Sequence, residues 1–97
     1  MTVAINFGRD LYTGAPLFVP RSGACEVMTA TTGSASFTVT ARKDEHAKIT
    51  NTHTAAVYVN VNADASPTAF VALIPVGAVD YIPKLGEGDV IHVEAVA

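Results

Sequence analysis

The sequence predicts an all-β domain, a small antiparallel β-sandwich of the jelly-roll kind with an extended N-terminal arm. Three observations lead there. Val57-Tyr58-Val59-Asn60-Val61-Asn62 alternates strictly between apolar and polar residues, the mark of a half-buried strand. Runs rich in Thr and Val recur at near-regular spacing, separated by Gly, Pro, Asp and Ser, giving roughly five to seven short strands. No stretch carries a convincing helical period. Two packed antiparallel sheets are the expected solution, with an up-and-down barrel as the alternative.

Val3, Ile5 and Phe7 alternate and suit one short strand. Gly8, Gly14, Pro16, Pro20 and Gly23 then crowd together, which predicts an irregular, extended segment, because Pro removes a ladder donor and Gly weakens strand interiors. Leu11, Tyr12, Leu17, Phe18 and Val19 are too apolar for a solvated linker. Residues 1–33 therefore read as an arm with the first strands, laid against its own domain or a neighbour, and residues 34–97 as the sandwich body of one domain.

Ala24 to Thr29 suits a strand, and Thr31 to Ala35 a turn. Over Ser36 to Ala41, Phe37, Val39 and Ala41 point inward and the threonines outward. Arg42-Lys43-Asp44-Glu45, the only charge run, predicts a solvated connection. His46 to Asn51 leads through a polar bend into the central strand at Val57. Ala63 to Pro67 is a loop. Thr68 to Ile74, apolar after Thr68, suits a strand covered on both faces, with a short buried helix as the alternative that periodicity leaves open. Pro75 to Ala78 breaks the ladder, Val79 to Pro83 forms a short non-central strand, and Lys84 to Asp89 turns. Val90 to Val96 closes the chain, with Ile91, Val93 and Ala95 on one face and His92 and Glu94 on the other.

Of the 97 residues, 49% are hydrophobic and only 15% charged, against about 25% charged in ordinary soluble domains. Such a chain has too little charge to solvate its whole surface, which implies cover by a partner or by copies of itself. A formal charge of −3 with six scattered Lys and Arg argues against nucleic acid, which needs a clustered basic face. One cysteine, Cys25, excludes an internal disulfide and reads as a small buried hydrophobe. No apolar run approaches the ~20 residues that span a bilayer. The first residues lack a basic region followed by an apolar core, so synthesis and retention in the cytoplasm are expected.

Catalytic chemistry has little footing. His46 and His53 match no fixed metal-ligand spacing, and His92 faces outward. Gly33-Ser34-Ala35-Ser36 lacks the second glycine of a nucleophile elbow. Gly86-Glu87-Gly88 holds no lysine and precedes a strand, unlike a phosphate loop. Asp64, Asp80 and Asp89 sit in or beside turns, where solvent is the natural partner. The expectation is no enzyme, no cofactor and no metal.

Residues 36–97 resemble a pattern in small structural proteins of tailed bacteriophages. The matching pieces are Ile49-Thr50-Asn51-Thr52, Val57-Tyr58-Val59, Ala65-Ser66-Pro67-Thr68-Ala69, Leu73-Ile74-Pro75-Val76-Gly77 and Ile91-His92-Val93-Glu94-Ala95-Val96. The likeness is one of composition and order. Residues 1–33 fall outside it, and Val76 is an addition to the usual leucine–proline–glycine turn. The resemblance implies a head decoration (cement) protein: a β-sandwich on the capsid exterior that bridges major capsid subunits, binds as a homotrimer or dimer, and needs no cofactor. In that setting the arm residues Ile5, Phe7, Leu11, Tyr12, Leu17, Phe18 and Val19 would meet the capsid or a sister subunit. Removal of residues 1–20 would then leave a folded domain that no longer binds. The competing class is a sugar-binding or adhesive module of a tail fibre or tail tip, with Tyr12, Tyr58 and Tyr81 as its only tyrosines. A non-viral cytoplasmic assembly subunit is a third.

Overall fold

A computed structural model describes residues 2–12 and 16–97, with side chains described over 2–9 and 18–97. The strands are β1 (Thr2–Tyr12), β2 (Pro16–Thr29), β3 (Ala35–Ser36), β4 (His46–Asn51), β5 (Val57–Val61), β6 (Ala72–Ile74), β7 (Val79–Ile82) and β8 (Ile91–Ala95). They form two four-stranded sheets, in the orders β2-β1-β4-β7 and β3-β8-β5-β6. Every pairing is antiparallel. The ladders are separate, so the architecture is a sandwich and not a barrel.

Period-two alternation builds the core. Val3, Ile5 and Phe7 of β1, Ala47 and Ile49 of β4, Val57 and Val59 of β5, and Ile91 and Val93 of β8 are all at most 1% exposed. Between β3 and β4, Phe37 and Ala41 point inward and Val39 packs on the core, although the ladder itself ends at Ser36.

The N-terminal segment departs from the expected arm. β1 lies between β2 and β4, pairing with β4 from Val3↔Asn51 to Gly8↔His46, so it is an interior strand of its sheet. The Gly and Pro cluster is accommodated by a bulge. Asn6 pairs with Cys25 and Gly8 with Pro20, which leaves Arg21, Ser22, Gly23 and Ala24 opposite Phe7. Gly23 takes the left-handed conformation that glycine adopts at little cost (φ 76°). At Gly8 a Cβ would collide with the carbonyl oxygen of Val19 and lie 2.8 Å from Pro20 Cα. Glycine is required there by close backbone approach. Beyond Gly8 the hairpin continues as a two-stranded ribbon, Arg9 to Tyr12 against Pro16 to Val19. The expected split at residue 33 therefore has no counterpart, because residues 2–29 supply half of one sheet. Truncation at residue 20 would remove Val3, Ile5 and Phe7 from the core, so loss of the fold is expected.

Two further expectations fail. Thr68 to Ile74 is not a strand covered on both faces. Only Ala72–Ile74 is ladder, at the edge of its sheet, with Phe70 45%, Val71 58% and Leu73 47% exposed. An all-apolar run looks the same whether self-covered or left for a partner. Glu45 is not a solvated turn residue: it is 2% exposed and paired.

Candidate interaction surface

The β5–β6 and β6–β7 connections place β6 and β7 at the same side of the sandwich, one at the edge of each sheet. Among the described residues eight large hydrophobics are exposed, and six of them fall in this short segment: Phe70, Val71, Leu73, Val76, Val79 and Tyr81. No charged residue occurs from Ala65 to Val79. On the outer face of the second sheet the Tyr58 and Phe70 rings lie 5.1 Å apart, and Leu73 is the cross-strand partner of Tyr58. Around the edge, Phe18 from the ribbon meets Tyr81 edge-on at 5.7 Å.

Asn51 fixes this edge from beneath. It is 0% exposed at the end of β4. Its side-chain amide nitrogen reaches the carbonyls of Ala55, Ile74 and Pro75 at 3.0–3.2 Å, and its Oδ1 accepts the His53 N–H at 2.9 Å. Its backbone N–H donates to Ala78 O and its carbonyl accepts from Gly77 N–H. One buried side chain thus ties the β4–β5 bend to the β6–β7 corner by bonding backbone groups of both.

The free edge of β7 is poorly suited to strand addition. With Asn51 bonded to Ala78, the ladder turns the backbone groups of Asp80 and Ile82 toward β4 and those of Val79 and Tyr81 outward. The outward Tyr81 N–H is taken by the Asp80 carboxylate at 2.8 Å, and Pro83 has no N–H. An occupant of the β7 edge would meet side chains more than an open ladder.

The opposite side, β2 and β3, is closed by polar bonds. Glu26 Oε1 accepts the Thr38 N–H at 2.8 Å, the Thr38 hydroxyl at 2.9 Å and the Val39 N–H at 2.9 Å. The β2 bulge re-aims Arg21, whose guanidinium grips both oxygens of Glu45 at 2.8 and 3.1 Å and donates to Thr40 O at 3.0 Å. Glu45 also accepts the Arg42 N–H at 2.8 Å. Burial alone would push the Glu45 carboxyl up. The Arg21 and Arg42 hydrogen bonds outweigh it and hold the group below the usual carboxylate range. Beside this pair is an open recess of about 270 Å³ lined by Gly8, Arg9, Val19, Pro20, Arg21 and Glu45.

The sequence-predicted interface residues scatter. Ile5 and Phe7 are 0% exposed core residues, so neither can meet a partner. Phe18 is half-buried against Tyr81, and Val19, 43% exposed, lines the recess. The side chains of Leu11, Tyr12 and Leu17 lie outside the described residues. Cys25, expected to be buried, is exposed on the outer face of β2. The bulge puts Ala24 inside and leaves Cys25 opposite Asn6.

The remaining titratable groups do not converge. His46 and His53 lie at and beyond opposite ends of β4. His46 Nδ1 accepts the Lys84 N–H, and His92 Nδ1 is 3.7 Å from Asp64. Asp89 holds its own turn together: Asn62 Nδ2 and the Gly86 N–H bond its carboxylate, keeping it below the usual range. Among the described residues no group of three or more His, Cys, Asp or Glu could hold a metal ion, and no helix is long and apolar enough to cross a membrane.

The band from Phe70 to Tyr81 is the surface that strand-by-strand reading of the sequence misses. Its signal was the uncharged run from Ala65 to Val79. No family model, no curated protein and no solved structure matches the chain.

Proposed function

We propose that this chain is a structural subunit of a viral particle, a capsid decoration protein of the kind its strand order resembles, seated on the outside of a phage head and bridging major capsid subunits. The observation that carries the reading is the set of exposed hydrophobics from Phe70 to Tyr81, in a segment with no charged residue from Ala65 to Val79. Exposed apolar residues gathered at one edge of a small domain mark a place that another macromolecule covers. A rigid corner, stapled by Asn51, presents it without the ordering cost of a mobile loop.

Density-gradient sedimentation of lysate from cells producing the particle, probed for this chain, tests the reading. Co-migration with particles, and an outer-surface position by electron microscopy, are expected. Recovery only as free protein at the top of the gradient overturns it. A second reading, a sugar-binding module of a tail tip, draws on the Tyr58–Phe70 ring pair, since aromatic faces stack on sugar rings. Saturable binding of the isolated chain to a glycan array, lost in Phe70→Ala, would favour it over the first.

A further inference from the structure

We infer that the occupant of the Phe70–Tyr81 edge is a second copy of this chain, bound face to back so that Lys48 of one copy meets Glu94 of the next. Directly opposed residues in an antiparallel sheet share a face. One row on the outside of the first sheet therefore reads Tyr81, Lys48, Asn6, Cys25 from the β7 edge inward. The row on the outside of the second sheet reads Leu73, Tyr58, Glu94 from the β6 edge inward. Each face thus has an apolar or aromatic rim at the same edge of the sandwich, with one charge set behind it. The charges are opposite.

Few other charges compete. Over the paired residues that share the outer face with Tyr81, from Thr2 to Gly8, Cys25 to Thr29, His46 to Thr50 and Val79 to Tyr81, Lys48 is the only Lys, Arg, Asp or Glu. On the other face the corresponding positions are Ser36, Tyr58, Asn60, Leu73, His92 and Glu94, and Glu94 is the only carboxylate. Neither Lys48 nor Glu94 forms an ion pair with a described residue. Two like faces would bring together two lysines or two glutamates with no opposite charge between them, whereas unlike faces pair them beside packed Tyr81, Tyr58 and Leu73. The contact is heterologous, one patch on a different patch, and so it repeats from copy to copy until rotation closes it. The β7 edge offers little for backbone pairing, because the Asp80 carboxylate occupies the outward Tyr81 N–H.

The inference takes its surface from the reading above, yet its test needs no viral particle, so either can fail without the other. Sedimentation equilibrium of the purified full chain is measured over a wide concentration range for the wild type, Lys48→Glu, Glu94→Lys and the double reversal. Concentration-dependent association is expected of the wild type. Each single reversal should weaken it about tenfold or more, as a close interfacial charge pair does. The double reversal should restore it, and so should mixing the two single variants, which brings each altered face against its complement. Far-ultraviolet circular dichroism and thermal melting confirm that the variants remain folded. Should either single variant fail to fold, Leu73→Ser takes its place and should weaken association. A wild type that stays monomeric throughout overturns the inference, as does association that neither reversal nor Leu73→Ser disturbs.

Discussion

The two long sides of this sandwich solve the same problem in opposite ways. On the β2–β3 side the gap between sheets is closed by the chain itself, through Glu26 on the Thr38–Val39 backbone and the Arg21–Glu45 pair. On the β6–β7 side the corner is held from inside by uncharged Asn51, and what lies outside it is apolar and exposed. Charged groups stand where the domain must seal its own edge. They are sparse where the surface is left to be covered, with none from Ala65 to Val79. A charge-poor composition is therefore not spread evenly over this molecule: it is concentrated on one side.

The largest effect separates both sides from the strand that supports them. Deleting residues 1–12 removes the interior strand β1 with Val3, Ile5 and Phe7, and no cooperative unfolding transition should remain. Phe7→Ala is the graded form, expected to cost about 3–5 kcal/mol from cavity formation in chemical denaturation. A truncated chain that still melted cooperatively would show that β1 is an appendage after all.

On the apolar side the sharpest probe is Asn51→Ala. Carbonyls of Ala55, Ile74 and Pro75 and the His53 N–H would each lose a partner. Buried groups left unbonded cost about 1–3 kcal/mol each, partly relieved by entering water, so a loss of roughly 3 kcal/mol is expected in urea denaturation. Amide hydrogen exchange should quicken at Gly77 and Ala78 before it does in β8. Uniform quickening would break the idea of a local staple.

The polar side should respond to acid. A group whose folded pKa is lowered contributes stability that is fully present above its unfolded value, about 4.3 for Glu, and lost as the pH falls through the folded value. Glu45 is such a group, so part of the stability of the β2–β3 closure should vanish as the pH drops below about 4. Glu45→Gln should cost about 2–3 kcal/mol at neutral pH, since it strands Arg21 beside a neutral partner. It should also flatten the acid limb of a melting-temperature profile. Asp89, which shifts in the same direction at a different turn, should keep its own contribution in that variant. An unchanged acid limb would mean that the pair is not what closes this side.

What the sequence disclosed follows the same division. Alternation in Val57–Val61 and Ile91–Ala95 named the inward residues, because one face of each strand is covered by the domain's own core. The sandwich class was readable for that reason. The run from Thr68 to Ile74 misled, since residues awaiting an external partner carry the same apolar character as residues already buried. The Gly and Pro cluster between Gly8 and Gly23 suggested an arm, but a bulge absorbs it within an interior pairing. The Arg21–Glu45 and Glu26–Thr38 contacts were invisible, because they join residues 24 and 12 apart in sequence through a fold not yet known.

The smallest expected change in stability falls on the same apolar side as the large Asn51 effect, and the contrast is diagnostic. Val79 is 45% exposed at the edge of its sheet. Val79→Thr keeps the β-branch that suits a strand and removes little self-buried area, so it should shift stability by no more than about 0.5 kcal/mol. If the band exists to be covered, the same substitution should weaken association of the full chain while its melting curve stays in place. A variant that loses stability in step with association would show that Val79 serves the domain's own packing, and the difference between the two sides would shrink to one of composition.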